Sequence, residues 1–155
     1  MKYFSRWSGI VGGVALGRVM KQYPGVAEAI ARALGEHVRE LLSPGPFRVE
    51  VRGPILDVKW GAGSSASGIV GLGLLERGTP EEKLERVFRT AGRQLQPVIE
   101  SASSTLRPAG MNHARAEFEP HVRITSMSVE LWWGGESPDA AVTRIRPISR
   151  SELGL

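Results

Sequence analysis

The chain of 155 residues suits one domain with a substantial core, and its 41% hydrophobic and 23% charged content is typical of a globular rather than a disordered protein. It contains no cysteine, which excludes disulfides, thiolate metal sites and cysteine nucleophiles. The net charge is +4, and 16 of the 20 basic residues are arginine, which favours planar contacts with carboxylate or phosphate.

The N-terminal end is rich in glycine. Residues 1–22 are predicted to form an arm ahead of a single domain over residues 23–155, because the glycines at positions 9, 12, 13 and 17 weaken a helix. The apolar run from Gly9 to Leu16 is shorter than the roughly 20 residues that span a bilayer, and no signal-peptide cleavage site follows. We interpret the run as part of the mature protein, in the cytoplasm or a virion. An anchor on a partner or a membrane surface is the alternative.

A first helix is predicted from about Pro24 to Leu42, because apolar residues recur there at spacings of three and four. The stripe consists of Val26, Ile30, Leu34, Val38 and Leu41. His37 falls on or beside this stripe and is interpreted as a hydrogen-bonded core or boundary residue. Residues 47–52 and 55–60 then alternate apolar and charged side chains on either side of a Gly-Pro turn. They predict an antiparallel hairpin with opposite charges facing each other on the wet side.

A glycine- and serine-rich segment follows the hairpin and is predicted to be a flexible loop. Its marked residues are Gly61, Gly63, Ser64, Ser65 and Gly68. The segment from Ile55 to Gly68 resembles the first motif of class I methyltransferases, with Asp57, Gly61 and Gly63 at the matching positions. That resemblance implies a binder or enzyme for an S-adenosylmethionine-like ligand, although Lys59 and Trp60 stand where the family has one small residue. This small-ligand function is kept as a second alternative.

No catalytic, metal or cofactor set is predicted. The serines at 64, 65 and 67 lack the G-x-S-x-G pattern of a hydrolase nucleophile. A run of alternating polar residues shares one strand face, and it includes His113, Arg115, Glu117, Glu119 and His121. Side chains two apart lie about 7 Å from each other, so the set spans too much for one ion. We interpret it as an exposed face of mixed charge.

A second helix begins at a capping box, Thr79 to Glu82, with proline at its first position. Its apolar face runs to Ala102, and Pro97 is expected to kink or split it. The last third is predicted to be strands: residues 114–119, broken at Pro120; residues 122–133, with a bulge near Thr125; and residues 142–148. The order α-β-β-α-β-β-β predicts an α+β fold, a two-layer sandwich with two main helices on one face of a mostly antiparallel sheet.

Three residues near the C-terminus are predicted to form an interface. Trp132 and Trp133 are adjacent in a strand, and the parity of the preceding apolar residues points Trp133 to the core and Trp132 outward. An outward tryptophan favours a protein contact. Arg144 and Arg146 lie nearby in the sequence and complete the predicted interface. A basic sheet face that includes these arginines supports nucleic-acid binding as the first alternative function.

Two segments resemble tailed-phage neck and tail-completion proteins, which have a turn before the second helix and a helix that begins near a Phe-Leu-x-Pro-Ala-like motif. The nearest equivalents are residues 74–80, LLERGTP, and residues 95–102, LQPVIESA. The resemblance implies a ring-forming virion subunit. We therefore expect a non-enzymatic assembly protein whose partners are sister subunits and other structural proteins, with nucleic acid as an alternative partner and no membrane span.

Overall fold

The structure, a computed structural model, describes residues 11–105 and 118–155. Its α-helices are α1 (Val11–Gln22), α2 (Val26–Leu42) and α3 (Pro80–Thr105). Its strands are β1 (Phe47–Arg52), β2 (Ile55–Trp60), β3 (Ser64–Ile69), β4 (Pro120–Ile124), β5 (Ser128–Trp133), β6 (Thr143–Arg144) and β7 (Ile148–Ser149). Short 3₁₀ helices lie at Val70–Leu75, Pro138–Ala140 and Arg150–Leu153.

The α+β class and the antiparallel pairing of the strands are confirmed. The strands divide between two sheets. The first sheet has the order β1-β2-β3, and the second has β4-β5-β6 with β7 also paired to β5. Helix α3 follows β3, precedes β4 and contacts both. One long helix therefore joins the two sheets.

The apolar stripe predicted for the first helix forms the core side of α2. Ile30, Leu34 and Val38 are fully buried. A Cβ atom at Gly35 would lie 2.5 Å from Cγ2 of Val51, so only glycine lets the helix backbone approach β1 this closely. This close approach fixes α2 against the first sheet.

The first sheet contains the predicted hairpin, but its register corrects the predicted charge pairing. Arg48 lies opposite Lys59, and Glu50 lies opposite Asp57. Like charges thus face each other directly, which is unfavourable for an isolated pair. The opposite charges meet on the diagonal or along the strand instead, because Asp57 lies 4.0 Å from Arg52 and 3.6 Å from Lys59.

Helix α3 begins at the predicted capping box, in which Thr79 and Glu82 exchange backbone-to-side-chain hydrogen bonds of 3.2 Å. Its predicted apolar face is buried. The buried members are Leu84, Val87, Phe88, Ala91, Leu95, Val98 and Ile99. Of the expected kink or split at Pro97, the split is wrong, because the helix runs without interruption to Thr105. Burial of side chains on both sides of Pro97 keeps the segment helical despite the missing N–H group.

The second sheet corrects three expectations. Pro120 begins β4 rather than breaking a strand, and the first position of an edge strand tolerates a residue without an N–H group. The expected bulge at Thr125 is a tight hairpin turn, in which the Thr125 amide donates to the Ser128 carbonyl at 2.9 Å. The expected strand over residues 142–148 is two separate two-residue strands, β6 and β7. Residues 114–117 lie outside the described residues.

Helix α1 occupies the second half of the segment predicted as an arm. Its Val19 is fully buried. A Cβ atom at Gly71 would lie 2.8 Å from Cγ1 of Val19 and 2.7 Å from Cβ of Ala27, so Gly71 allows α1, α2 and the 3₁₀ helix to meet. Residues 1–10 lie outside the described residues.

Candidate functional site

The predicted flexible loop is a strand. Gly61 and Gly63 form the turn after β2 with φ angles of 59° and 102°, a region that favours glycine. Ser64, Ser65 and Gly68 lie within β3, which pairs along its whole length with β2. A Cβ atom at Gly68 would lie 2.4 Å from the side-chain amide of Gln94. The glycine therefore serves the packing of β3 on α3, and the prediction of flexibility is corrected.

The resemblance to a methyltransferase motif does not extend to its geometry. A nucleotide-cradling loop directs backbone N–H groups from the start of a helix, whereas Gly61 and Gly63 lead from β2 into an antiparallel strand. Asp57 lies in the middle of β2, is 5% exposed and pairs with Lys59. Its carboxylate is therefore engaged within the first sheet, away from the strand end where a ribose would bind.

The two tryptophans face opposite sides of β5, but both are buried. Trp133 is fully buried, and its Nε1 donates to the Gly92 carbonyl at 2.9 Å. Trp132 is only 5% exposed, so the expectation that it stands in water is corrected. Its ring stacks on His121 at a centroid distance of 5.7 Å, and its Nε1 donates to the Gly135 carbonyl at 3.2 Å. The loop after β5 thus covers Trp132 within its own chain.

The predicted basic residues are largely matched by local carboxylates. Arg144 lies 3.3 Å from Asp139, and Arg146 lies 3.3 Å from Glu40. The other pairs join Arg123 to Glu130, Arg150 to Glu81, and Arg52 and Lys59 to Asp57. Arg115 lies outside the described residues. A nucleic-acid backbone would have to compete with these carboxylates, which weakens the case for a basic sheet face.

The buried His37 contacts the partly exposed Glu152, a pairing that the sequence did not predict. Nδ1 of His37 lies 2.7 Å from the Arg146 carbonyl and Nε2 lies 3.0 Å from a Glu152 carboxylate oxygen. Both partners present acceptor oxygens to the ring nitrogens. The hydrogen bond from His37, with a second from the Ser149 amide, lowers the pKa of Glu152 to about 2.

This contact is structural. The His37 side chain is fully buried and both ring nitrogens are engaged, so it offers no free nitrogen for proton transfer or metal binding. Glu152 also closes a capping box with Ser149 on the last 3₁₀ helix. The spacing of Ser149 and Glu152 was the sequence signal that could have predicted that cap. No sequence signal indicated the pairing of His37 with Glu152, because the two residues are 115 positions apart. Among the described residues no group of three or more His, Cys, Asp or Glu side chains could hold a metal ion.

An apolar groove of about 410 Å³ is the candidate binding site among the described residues. It lies where the C-terminal turns of α2 and α3 meet the start of β1. The lining residues are Leu41, Leu42, Ser43, Pro44, Gly45, Pro46, Phe47, Ile99, Ala102, Ser103 and Thr143. None of these described lining residues is ionisable at neutral pH, so they offer apolar contact and three hydroxyls.

The sequence explains the shape of this groove. Helix α2 ends at Leu42 because two prolines follow within four residues, and the chain must turn before it enters β1. A Cβ atom at Gly45 would lie 2.8 Å from the Leu42 carbonyl oxygen, so glycine is needed for this turn. The ring of Phe47 packs against the ring of Trp60, with ring centroids 6.0 Å apart.

The chain matches no protein family, no curated protein sequence and no solved structure at a significant level. Within residues 11–105 and 118–155, the structure contains no helix with the length and apolar character needed to cross a membrane.

Proposed function

We propose that the protein is a non-enzymatic assembly subunit that associates with copies of itself through the apolar groove. The groove is the observation that carries this proposal. It has a volume typical of a specific binding site, and its described lining residues are mostly apolar, which suits contact with another protein.

An exposed methionine on the same molecule is the side chain proposed to enter the groove. Met127 lies at the tip of the β4–β5 turn and is 76% exposed. The turn is held by Thr125, whose Oγ1 accepts hydrogen bonds from the amides of Met127 and Ser128 at 3.2 and 2.9 Å. Methionine adapts well to irregular apolar sites. Insertion of Met127 from one copy into the groove of the next would make a head-to-tail contact, which closes into a ring or extends as a filament.

The setting that the sequence resemblance implies for such a ring is the neck of a tailed-phage virion. One resembling segment, residues 74–80, leads into α3, and the other, residues 95–102, lies in its second half; α3 also contributes Ile99, Ala102 and Ser103 to the groove. Arg144 follows the lining residue Thr143 directly and has a half-exposed side chain. Arg144 and Arg146 therefore stay in the proposed interface, whereas Trp132 is buried in its own chain.

The mass of the protein in solution tests the proposal, by light scattering after size exclusion at micromolar concentration. The parent should be oligomeric. Met127→Asp should dissociate it, because a carboxylate would enter an apolar groove. Ala102→Arg should do the same from the other side. The double variant should recover part of the association, because the new charges would then meet across the contact.

Val14→Asp is the matched control, since it places the same charge on an exposed valine of α1 away from both surfaces. It should leave the mass unchanged. A monomeric parent, or single variants that associate like the parent, would contradict the proposal.

A further inference from the structure

Strand β1 is the outer strand of the first sheet, and only one of its two edges is paired. Its partner β2 lies on one side, and no described strand lies on the other. Such an edge presents backbone N–H and C=O groups that the strand of another chain can bond. Edges of this kind are commonly blocked by a proline or a bulge. β1 contains no proline, and its register with β2 runs without a bulge.

A hydrogen bond from α2 shows which residues of β1 face the open edge. The Arg39 guanidinium donates to the Val49 carbonyl at 2.9 Å. In an antiparallel strand the N–H and C=O of one residue point to the same side, and that side alternates along the strand. Phe47, Val49 and Val51 therefore present their backbone groups to the open edge. A carbonyl oxygen has two lone pairs, so that of Val49 can accept a second hydrogen bond.

The two charges in the middle of β1 have like charges as neighbours. Arg48 lies opposite Lys59 and Glu50 lies opposite Asp57 on the polar face of the sheet. Within residues 11–105 and 118–155, no ion pair involves Arg48 or Glu50. Asp57, in contrast, lies 3.6 Å from Lys59. The cation and the anion of the outer strand are therefore available to a neighbour at the open edge.

A second copy of β1 complements these charges. If two copies pair antiparallel about a two-fold axis at Val49, Arg48 of each strand lies opposite Glu50 of the other, and Phe47 lies opposite Val51. An axis one residue later places two glutamates opposite each other, and an axis two residues later runs each strand into the hairpin turn of the other. Parallel alignment in register places like charges side by side. Opposite charges that face each other across strands stabilise the pairing, and like charges destabilise it.

We infer that β1 pairs with β1 of a second copy, which joins two first sheets into one continuous sheet. The contact is isologous, unlike the proposed head-to-tail contact through the groove. It lies beside that groove, because Phe47 begins β1 and also lines the groove. It does not depend on the head-to-tail contact, because it uses the edge of β1 and its charges rather than Met127.

Charge reversal tests the inference in the Met127→Asp protein, from which the proposed head-to-tail contact has been removed. Light scattering after size exclusion at micromolar concentration should show that this protein is a dimer. Arg48→Glu in the same background should weaken the dimer about tenfold or more, because two pairs of like charges then face each other across the axis. Glu50→Arg should have the same effect. An equimolar mixture of the two variants should form a heterodimer, because every facing pair is again opposite in charge.

Neither reversal should harm the fold. Arg48→Glu places an anion opposite Lys59, and Glu50→Arg places a cation opposite Asp57, so each removes a like-charge pair within the sheet. In dilute solution, where all the proteins are monomeric, the thermal midpoints of both variants should equal or exceed that of the Met127→Asp protein. This result separates loss of the contact from loss of the fold.

Hydrogen exchange reports on the strand pairing itself. The amides of Val49 and Val51 should be protected in the dimer and should exchange faster in each single reversal. Arg93→Glu, at an exposed position on α3, makes the same change of charge and should leave the dimer intact.

Three results would overturn the inference: a monomeric Met127→Asp protein, a mixture of the two reversals that does not associate, or a loss of the dimer in Arg93→Glu equal to that in Arg48→Glu. A Met127→Asp monomer would leave the edge of β1 to a strand of another protein. The proposed head-to-tail assembly fails by a different result, namely a Met127→Asp protein with the mass of the parent.

Discussion

The two sheets differ in how far apart their strands lie in the sequence. The first sheet takes all its strands from residues 47–69, joined by short turns at Gly53 and Gly61. The second sheet has one local hairpin, β4–β5, and two further strands of only two residues each. The first sheet is therefore specified by neighbours in sequence, whereas the outer strands of the second sheet depend on remote contacts.

The remote contacts are specific. The Arg146 carbonyl, between β6 and β7, accepts a hydrogen bond from His37 of α2 at 2.7 Å. Arg150, just after β7, donates to the Thr125 carbonyl at 3.0 Å, and Glu152 meets the other nitrogen of His37. The C-terminal segment is thus fastened across α2 and onto the β4–β5 turn. Weakening these contacts should loosen the second sheet before the first.

The largest effect is expected from Phe88→Ala, since α3 serves both sheets and Phe88 is fully buried. The free energy of unfolding should fall by about 3–5 kcal/mol. Urea unfolding followed by circular dichroism and by tryptophan fluorescence measures it, because Trp60 reports on the first sheet and Trp133 on the second. The two signals should shift together, and a loss below about 0.5 kcal/mol would show that this face of α3 is not core. Arg93→Ala, exposed on the same helix, is the control.

Alanine substitutions of the two tryptophans test how the second sheet is packed. Trp133→Ala should cost about 3–5 kcal/mol, because it leaves a cavity and frees the Gly92 carbonyl. Trp132→Ala should cost about 1–3 kcal/mol, because its ring is covered only by His121 and the following loop. Thermal midpoints of both variants check the order. The reverse order would mean that the second sheet is packed from its other face.

Gly92→Ala tests how closely α3 approaches the second sheet. A Cβ atom there would lie 2.6 Å from Pro120 and 3.0 Å from Leu131. Overpacking should cost about 1–3 kcal/mol, reduced by the roughly 1 kcal/mol gained from helix propensity. Gly17→Ala in α1 is the matched change with open space around it, and it should stabilise the protein by up to about 1 kcal/mol. If chemical denaturation shows that the free energy of unfolding changes in the same direction in both variants, the close approach of α3 to the second sheet does not restrict residue 92 to glycine.

The smallest effect is expected from the pair of His37 and Glu152. The pKa of Glu152 in the folded protein is about 2, below its ordinary value of 4.5. Its contribution to stability is therefore complete above pH 4.5 and is lost as the pH falls towards 2. Solvent screens the partly exposed carboxylate, so its contribution to the free energy of unfolding is about 1 kcal/mol.

The melting temperature of the parent should accordingly fall more steeply with acid than that of Glu152→Gln. Differential scanning calorimetry from about pH 5 to about pH 2 measures both slopes. Glu136→Gln removes an exposed carboxylate outside this contact and is the control; its melting temperature should fall with acid as steeply as that of the parent. If the melting temperatures of the parent and Glu152→Gln fall in parallel with pH, the contact between His37 and Glu152 does not stabilise the second sheet.

The periodic elements could be predicted from sequence, because each is stabilised by its neighbours. The stripe of α2, the capping box at Thr79 and the β1–β2 hairpin were all found from spacing and turn residues. The strand β3 was missed because Ser, Gly and Ala carry little strand preference. Its pairing with β2 and its contact with α3 override that weak local signal.

The candidate sites could be predicted only in part. The opposite orientations of Trp132 and Trp133 follow from strand parity, but the loop that folds back over Trp132 does not. The groove was not predicted, because its lining comes from two helix ends, one turn and β6, which the sequence separates by up to about 100 residues. The pairing of His37 with Glu152 was not predicted either, because the two residues are 115 positions apart in the sequence.

The α+β class, the two long helices, the first hairpin and the cationic character of residues 1–27 follow from the sequence alone. Each of these depends on periodicity, turn chemistry or charge count, which act over a few residues. Packing between distant segments, in contrast, makes the glycine-rich segment a strand, covers Trp132, places like charges opposite each other in the first sheet and holds the C-terminus against α2. These depend on which distant surfaces exclude water together, and packing of that kind leaves no pattern in any single stretch of chain.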